Sequence, residues 1–229
     1  MMNQTNYLIV GDVHSTAPAY FAAVNYANKH RLRLVFLGDL FDYRGDRPQD
    51  SNAAAIFEHI LASDALLVRS NHQERLRKYC AGNTGTIEKS ASTKATVADL
   101  DRTYGKGNWE RRMDYLSTAR SAYTLRLNNK YCLAHAFYPE QALVNPALNR
   151  KQKQLAIYGP RDPGLPWWLL EHKDLPGDFV RVAGHWHQLY IDSKSIILDG
   201  GCGSAFGRLF GFNTETERVE LLWAEPVDS

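Results

Sequence analysis

Leu34-Val35-Phe36-Leu37 runs directly into Gly38-Asp39-Leu40-Phe41-Asp42, and this joint decides how the whole chain is read. A short β-branched and aromatic run reads as a buried strand, and the glycine behind it lets the backbone turn sharply. Two carboxylates then leave its C-terminal end, where open α/β sheets hold their ligands. One Asp after a strand is ordinarily a turn residue or a helix cap, so the repetition is what carries weight. Tyr7-Leu8-Ile9-Val10 enters Gly11-Asp12-Val13-His14, and Leu66-Leu67-Val68 enters Arg69-Ser70-Asn71-His72. Tyr131-Cys132-Leu133 enters Ala134-His135-Ala136, and Phe179-Val180-Arg181-Val182 enters Ala183-Gly184-His185-Trp186-His187. Five apolar strands deliver Asp, Asn or His at the same end.

Working outward, Thr16 and Pro18 open a helix over Ala19 to Lys29, so the strands at Tyr7 to Val10 and Arg33 to Leu37 form a β-α-β unit with parallel pairing and a right-handed crossover. A helix from Asn52 to Ala62 leads to a third strand, Ala65 to Val68, and Gln73 to Cys80 reads as helical. Residues 82–118 then interrupt the alternation with two polar helices, Thr86 to Arg102 and Gly107 to Thr118. They read as a helical cap inserted into a single domain spanning 1–229, which either covers the sheet or shapes access to a site. After that the period changes. Asn128-Asn129 between Ala122 to Leu127 and Lys130 to Ala134 is a hairpin signal. Residues 137–178 read as mostly irregular, and strands return at Phe179 to Ala183, Leu189 to Asp192, Ser195 to Leu198, Ser204 to Phe210 and Arg218 to Leu222. The second half is therefore expected to be mainly antiparallel, giving an α/β fold of two sheets packed face to face with helices outside.

Composition narrows the classes. At 229 residues, 44% hydrophobic and 23% charged, the chain suits a globular domain with a substantial core. A net charge of +2 gives no surface-wide field for nucleic acid; Arg111-Arg112 and Arg150-Lys151-Gln152-Lys153 read as solvated helix faces. No segment reaches the ~20 apolar residues a membrane span requires, and Met1-Met2-Asn3-Gln4-Thr5-Asn6 is no signal peptide, so a cytoplasmic location is expected. Cys80, Cys132 and Cys202 form no Cys-x-x-Cys pair and read as reduced thiols. His30, His59 and His172 fall outside the strand ends and read as structural or surface residues.

Asp12, His14, Asp39, Asn71, His135, His185 and His187 offer oxygen and imidazole donors and no thiolate, a set suited to borderline divalent ions such as Mn, Fe, Co, Ni or Zn. Seven donors exceed what one such ion needs once water is added, and they suit two ions sharing a carboxylate.

Taken in order, Gly11-Asp12-Val13-His14, Gly38-Asp39-Leu40-Phe41-Asp42, Ser70-Asn71-His72-Gln73, Ala134-His135-Ala136 and Gly184-His185-Trp186-His187 resemble the five blocks of the calcineurin-like metallophosphoesterases. Arg69 and Leu198-Asp199-Gly200-Gly201-Cys202-Gly203 make the chain more similar to the serine/threonine phosphoprotein phosphatase branch. Within it, the bacterial and phage phosphatases, the bis(5'-nucleosyl)-tetraphosphatases and the phosphatase module of bacterial polynucleotide kinase-phosphatase look most alike. The resemblance implies a four-layer α/β/β/α sandwich of two mixed sheets. It also implies two divalent ions, manganese first among the candidates, with Asp12, His14 and His187 on one, Asn71, His135 and His185 on the other, and Asp39 bridging. Hydrolysis of a phosphomonoester on a phosphoprotein or small molecule would proceed by in-line attack of a metal-bridging hydroxide, with His72 as general acid and Asp42 as its orienting partner. Arg44, Arg69 and Arg161 are the candidate guanidinium forks for the phosphoryl oxygens. Cleavage of a dinucleoside polyphosphate, with Trp167-Trp168 as a base-stacking surface, is the alternative activity; a phosphodiesterase is another, and a binding module with structural metals is the reading outside catalysis. The chain departs from the family pattern at Ser15 and Ser70, where glycines are usual, at Gln73, where an acid is usual, and at Tyr43, which precedes Arg44-Gly45.

Overall fold

The computed structural model describes residues 5–45, 51–86, 90–160, 166–169 and 175–226. The first half alternates strand and helix: β1 (Tyr7–Val10), α1 (Ala17–His30), β2 (Arg33–Phe36), α2 (Ala53–Ala62), β3 (Leu66–Val68), α3 (Asn71–Cys80), α4 (Ala91–Tyr104) and α5 (Glu110–Thr118). Then follow β4 (Ser121–Ala122), β5 (Thr124–Leu127), β6 (Tyr131–Ala134), α6 (Arg150–Tyr158), β7 (Val180–Ala183), β8 (Leu189–Ile191), β9 (Ser195–Leu198), β10 (Arg208–Asn213) and β11 (Arg218–Ala224).

One sheet has the order β11-β10-β1-β2-β3-β4 and the other β5-β6-β7-β9-β8. β1 to β4 pair in parallel, because each β-α-β crossover returns the chain to the same edge, while β10 and β11 add antiparallel. Side chains alternate between faces along each strand, and the clusters follow that alternation. Ile9, Val35, Leu37 and Val68 meet Leu133, Val182, Ile196 and Leu198 between the sheets. Leu8, Val10, Phe36 and Leu67 face the other way, against Tyr20, Phe57, Leu76, Leu100 and Met113 from α1 to α5. On the far side, Cys132 and Ala134 pack against Leu148 and Ala156. The result is the expected four-layer α/β/β/α arrangement of two mixed sheets. No helix among the described residues is long and apolar enough to cross a membrane.

Four details differ from the sequence reading. The second sheet is half parallel, since β6, β7 and β9 run together and only β5 and β8 oppose their neighbours. The expected strand from Ala122 is cut at Tyr123, so that β4 closes the first sheet and β5 opens the second. β10 begins at Arg208, because residues 201–207 are spent on turns. Finally, α6 lies inside the stretch read as mostly irregular, and its start carries a capping box: Asn149 Oδ1 accepts from Gln152 N at 3.0 Å and Gln152 Oε1 from Asn149 N at 2.8 Å. The Asn128-Asn129 hairpin is present, both residues with φ of 51°, the sign a type I′ turn requires.

The inter-sheet layer is the structural base of the strand ends, so its packing is open to measurement. Leu133→Ala empties a fully buried position there and is expected to lower the unfolding free energy of the metal-free protein by about 2–5 kcal/mol. Leu221→Ala, at a position 57% exposed, should change it by less than about 0.5 kcal/mol; urea denaturation read by circular dichroism compares the two.

Candidate metal centre

The parallel pairs β1/β2 and β6/β7 sit in the interiors of their sheets, and the loops leaving them converge. The loop after β1 docks on the loop after β2: Val13 N and His14 N donate to the Asp39 carbonyl at 3.1 and 2.8 Å, and Ser15 N to the Leu40 carbonyl at 2.9 Å. Gly184 N donates to the His135 carbonyl at 2.8 Å, tying together the loops of the other sheet. Two glycines are sterically required: a Cβ on Gly184 would stand 2.0 Å from Asp12 Oδ1, and Gly38 (φ 112°) has room for none beside Ser70 and the His135 ring.

His14, Ser15, Asp39, Asp42, His185 and His187 all have positive φ, between 42° and 69°. Non-glycine residues seldom adopt this conformation, and such residues gather at functional sites because the surrounding bonds hold them there. At Ser15, where glycine is usual in the resembling family, the left-handed backbone is kept by a serine.

The donor atoms meet around Asp39. Its Oδ2 lies 3.5 Å from His14 Nε2, 3.4 Å from His135 Nε2 and 3.8 Å from His72 Nε2. His14 Nδ1 donates to the Asp42 carbonyl at 2.8 Å and His135 Nδ1 to the Leu37 carbonyl at 3.0 Å, which turns both Nε2 atoms toward the centre. His135 Nε2 then faces Asn71 Oδ1 at 2.9 Å and His185 Nδ1 at 3.1 Å. With their Nδ1 protons spent on carbonyls, His14 and His135 present Nε2 as an acceptor when neutral. Buried Asp12 Oδ1, Asp39 Oδ1 and His14 Nε2 have no hydrogen-bond partner, and orphaned acceptors of this kind are costly unless a cation or proton serves them. Two groups of three donors, His14/Asp39/His72 and Asp39/His135/His185, each lie within 4.8 Å of one another and share Asp39. The donor set fits hard-to-borderline divalent cations.

The electrostatics agree with this. Burial, reinforced by the Arg44 charge, lowers the His14 pKa to about 4, and burial with the neighbouring His135 lowers that of His185 to about 3, so both offer neutral lone pairs at pH 7. Burial and the Asp199 charge push the Asp12 carboxyl well above its usual range, whereas His135, His72 and His14 overcome burial at Asp39 and hold it well below. His135, like His72, departs from the other imidazoles around Asp39: against the effect of burial, Asp39 and Asp12 raise its pKa. The carboxylates beside His135 thus favour its charged form.

Asn71 and His72 open α3, and the two departures from the family pattern beside them act together. Ser70 Oγ accepts from Gln73 N at 3.4 Å while Gln73 Oε1 accepts from Ser70 N at 3.2 Å, a capping box that fixes the first turn. His72 Nδ1 donates to Asp42 Oδ2 at 2.9 Å. Burial would lower the His72 pKa, but Asp39 and Asp42 together raise it. His187 is exposed at the rim of the same cleft, a cavity of about 580 Å³ also lined by His14, Asp39, Asn71, His72 and His185.

The arginines differ from expectation. Arg69 is directed away, its Nη2 donating to the Thr118 and Ser121 carbonyls at 3.1 and 3.2 Å and its guanidinium stacked 4.4 Å from the Tyr123 ring; it ties α5 to β4. Arg44 lines the cleft, yet its fork is engaged by Asp199 at 2.7 and 3.2 Å and approaches Asp12 Oδ2 at 3.5 Å. Tyr43, the extra residue ahead of it, is buried and packs against Gly45. Arg161 lies outside the described residues. Trp167 and Trp168 are 1% and 2% exposed, edge to face with Phe137 and Trp186, so neither offers a face for a base.

Two participants were not singled out as site residues in the sequence. Asp199, at the end of β9, is fully buried; besides Arg44 it receives His187 N at 2.8 Å and Gly201 N at 3.0 Å, and so sets the backbone that presents His187. Its signal was the apolar run Ser195-Ile196-Ile197-Leu198 ahead of a carboxylate. Arg75 lies on α3 one turn beyond His72 and brings Nη1 within 3.4 Å of Asp42 Oδ2; the i, i+3 spacing was its signal.

No family model and no curated protein sequence matches the chain. Solved structures do match in fold. A candidate diadenosine tetraphosphatase superposes with a TM-score of 0.68 at 16% identity over 99% of this chain and 96% of its own. A protein serine/threonine phosphatase from Saccharomyces cerevisiae with similarity to human phosphatase PP5 gives 0.50 at 14% identity over 100% and 82%. Hypothetical protein PH1004 from Pyrococcus horikoshii OT3 gives 0.55 at 12% over 98% and 89%. The chain shares its fold with these structures.

A cation entering the cluster competes with protons for the same atoms, and the His135 and Asp12 pKa values are both raised. Affinity for Mn is accordingly expected to rise as the pH is taken from about 6 upward through the raised His135 value, with proton release on binding. Calorimetric titrations in buffers of different ionisation enthalpy measure that release; His14 and His185, already neutral, should contribute nothing to it above about pH 5.

Proposed function

We propose that the chain is a phosphoric ester hydrolase that holds two divalent cations, manganese first among them, and removes phosphate from a phosphomonoester. The convergence of buried, unpartnered acceptors on Asp39 carries this reading. On it, Asp12, His14 and His187 hold one cation, Asn71, His135 and His185 the other, and Asp39 both. When bound, such a pair supplies Lewis acidity at the phosphoryl oxygens and brings the pKa of water down to about 7.

The chain's own groups account for the remaining steps. His72 lines the cleft on the side of Asp42, and Asp42 holds its Nδ1 so that Nε2 is the proton-bearing atom turned to the leaving oxygen. Its raised pKa suits a group that must arrive protonated near pH 7. A purely structural metal site has no use for such a donor, which weighs against a scaffold. Arg44 is bound to Asp199, so its role is to hold the wall of the cleft and the loop of His187, with no fork left over for phosphate. Three free cysteines, Cys80, Cys132 and Cys202, are in keeping with a reducing, cytoplasmic setting.

A second substrate class, the dinucleoside polyphosphates, is favoured by one observation, the 0.68 TM-score to a candidate diadenosine tetraphosphatase. The tryptophan pair that would have supported it is buried.

With Mn present, p-nitrophenyl phosphate and a phosphopeptide should both be hydrolysed, and chelation should abolish turnover. Exclusive cleavage of diadenosine tetraphosphate in the same assay would replace the monoester reading with the second one. His72→Asn should lower kcat by about 10²–10⁴-fold on an alkyl phosphate and leave the metal content of the protein unchanged.

A further inference from the structure

The helix that closes over Asp42 carries two threonines, at positions 93 and 96, on one face of its first turns. Thr93 Oγ1 lies 2.5 Å from Asp42 Oδ2, and Asp42 N donates to Thr96 Oγ1 at 3.1 Å. Both threonines are fully buried, as is Asp42. The carboxylate is thus held by its side chain and its backbone from the same helix, at a residue whose φ is +66°. Asp42 in turn holds the two imidazoles on either side of it, His72 through Oδ2 and His14 through its carbonyl.

The direction of these bonds is fixed by valence. An ionised carboxylate only accepts, and a hydroxyl has one proton. Thr93 therefore spends its proton on Asp42, and must accept from the groups that approach it, Arg75 Nη1 at 3.1 Å and Ser90 Oγ at 2.9 Å. A chain of donors runs from α3 and the α4 cap through Thr93 into Asp42, each bond polarising the next. All of it lands on Oδ2, because the buried Oδ1 has no partner.

We propose that Thr93 is a positioning residue: its hydroxyl fixes the rotation of the Asp42 carboxylate, and through it the His72 imidazole, toward the leaving group. On this view α4 supplies part of the acid's support besides packing on the first sheet. The inference rests on the phosphatase reading for its kinetic arm and on geometry alone for its spectroscopic arm.

The experiment uses the full chain as wild type, Thr93→Val, Thr93→Ser, Asp42→Asn and the Thr93→Val/Asp42→Asn double variant. In the Mn-loaded proteins, Thr93→Val should lower kcat on an alkyl phosphate by about tenfold, a fraction of what the acid itself contributes. KM and metal content should hold, and turnover of p-nitrophenyl phosphate, whose leaving group needs little protonation, should change by less than about twofold. Thr93→Ser should restore the alkyl phosphate rate, and in the Asp42→Asn background Thr93→Val should add no further loss. In the metal-free proteins, the His72 Nδ1 proton resonance, assigned by its loss in His72→Asn, should be present in wild type and Thr93→Ser and broadened away in Thr93→Val. Retention of that resonance in Thr93→Val, or equal losses on both esters, would overturn the proposal. If wild type hydrolyses no ester, the phosphatase reading fails, and the proton resonance alone decides the role of Thr93.

Discussion

Everything in this molecule that bears on chemistry depends on one electrostatic constraint: polar side chains from five separate strand ends meet around Asp39, and three of their acceptor atoms, Asp12 Oδ1, Asp39 Oδ1 and His14 Nε2, are buried with no hydrogen-bond partner. Carboxylates, an amide oxygen and imidazole lone pairs cannot be left facing each other at 3 to 4 Å in a dry interior unless a positive charge is shared among them. Without a cation the crowding favours the protonated form of two of these groups, His135 and Asp12, whose pKa values are both raised. Divalent cations would serve the same atoms better, since they satisfy several acceptors at once.

Such a cluster has to be held together by something stiffer than itself. The inter-sheet layer of Ile9, Val35, Leu133, Val182 and their neighbours fixes the strands to which the loops are attached. Beyond the strands, the loops brace each other: His14 hangs on the Asp42 carbonyl, His135 on Leu37, and His187 on Asp199. Six positive-φ residues in these loops show how far the backbone is bent to aim the side chains. The support is thus built from groups that never touch the centre, with Asp42 and Asp199 the two carboxylates that carry most of it.

The strand-end residues were legible in the sequence because each strand's set begins within two or three residues of an apolar run, and five such runs in one order leave little choice of sheet. The helices at Ala17, Ala53 and Asn71 were legible from period, although Thr16 and Asn52 make no side-chain cap bond. What escaped depends on contacts between distant segments. The direction of the β6, β7 and β9 pairing is set by the long connection from β6 to β7 and by β8 taking the edge outside β9, which no local pattern encodes. Arg44 and Arg69 carry the right charge beside the right motifs, but their partners, Asp199 and the carbonyls of 118 and 121, come from 155 and about 50 residues away. Thr93 looked like an ordinary polar helix residue until α4 was seen to press it onto Asp42. The capping box at Asn149 is the counter-example, a local signal that was present in a segment read as mostly irregular.

Asp39 is the one side chain whose charge both groups of donors share, so the account stands on it. Equilibrium dialysis against Mn followed by elemental analysis of wild type and Asp39→Asn, which keeps the size and one acceptor and removes the charge, tests this most directly. The account predicts about two ions per chain in wild type and at most one in the variant. Full occupancy in Asp39→Asn would contradict it.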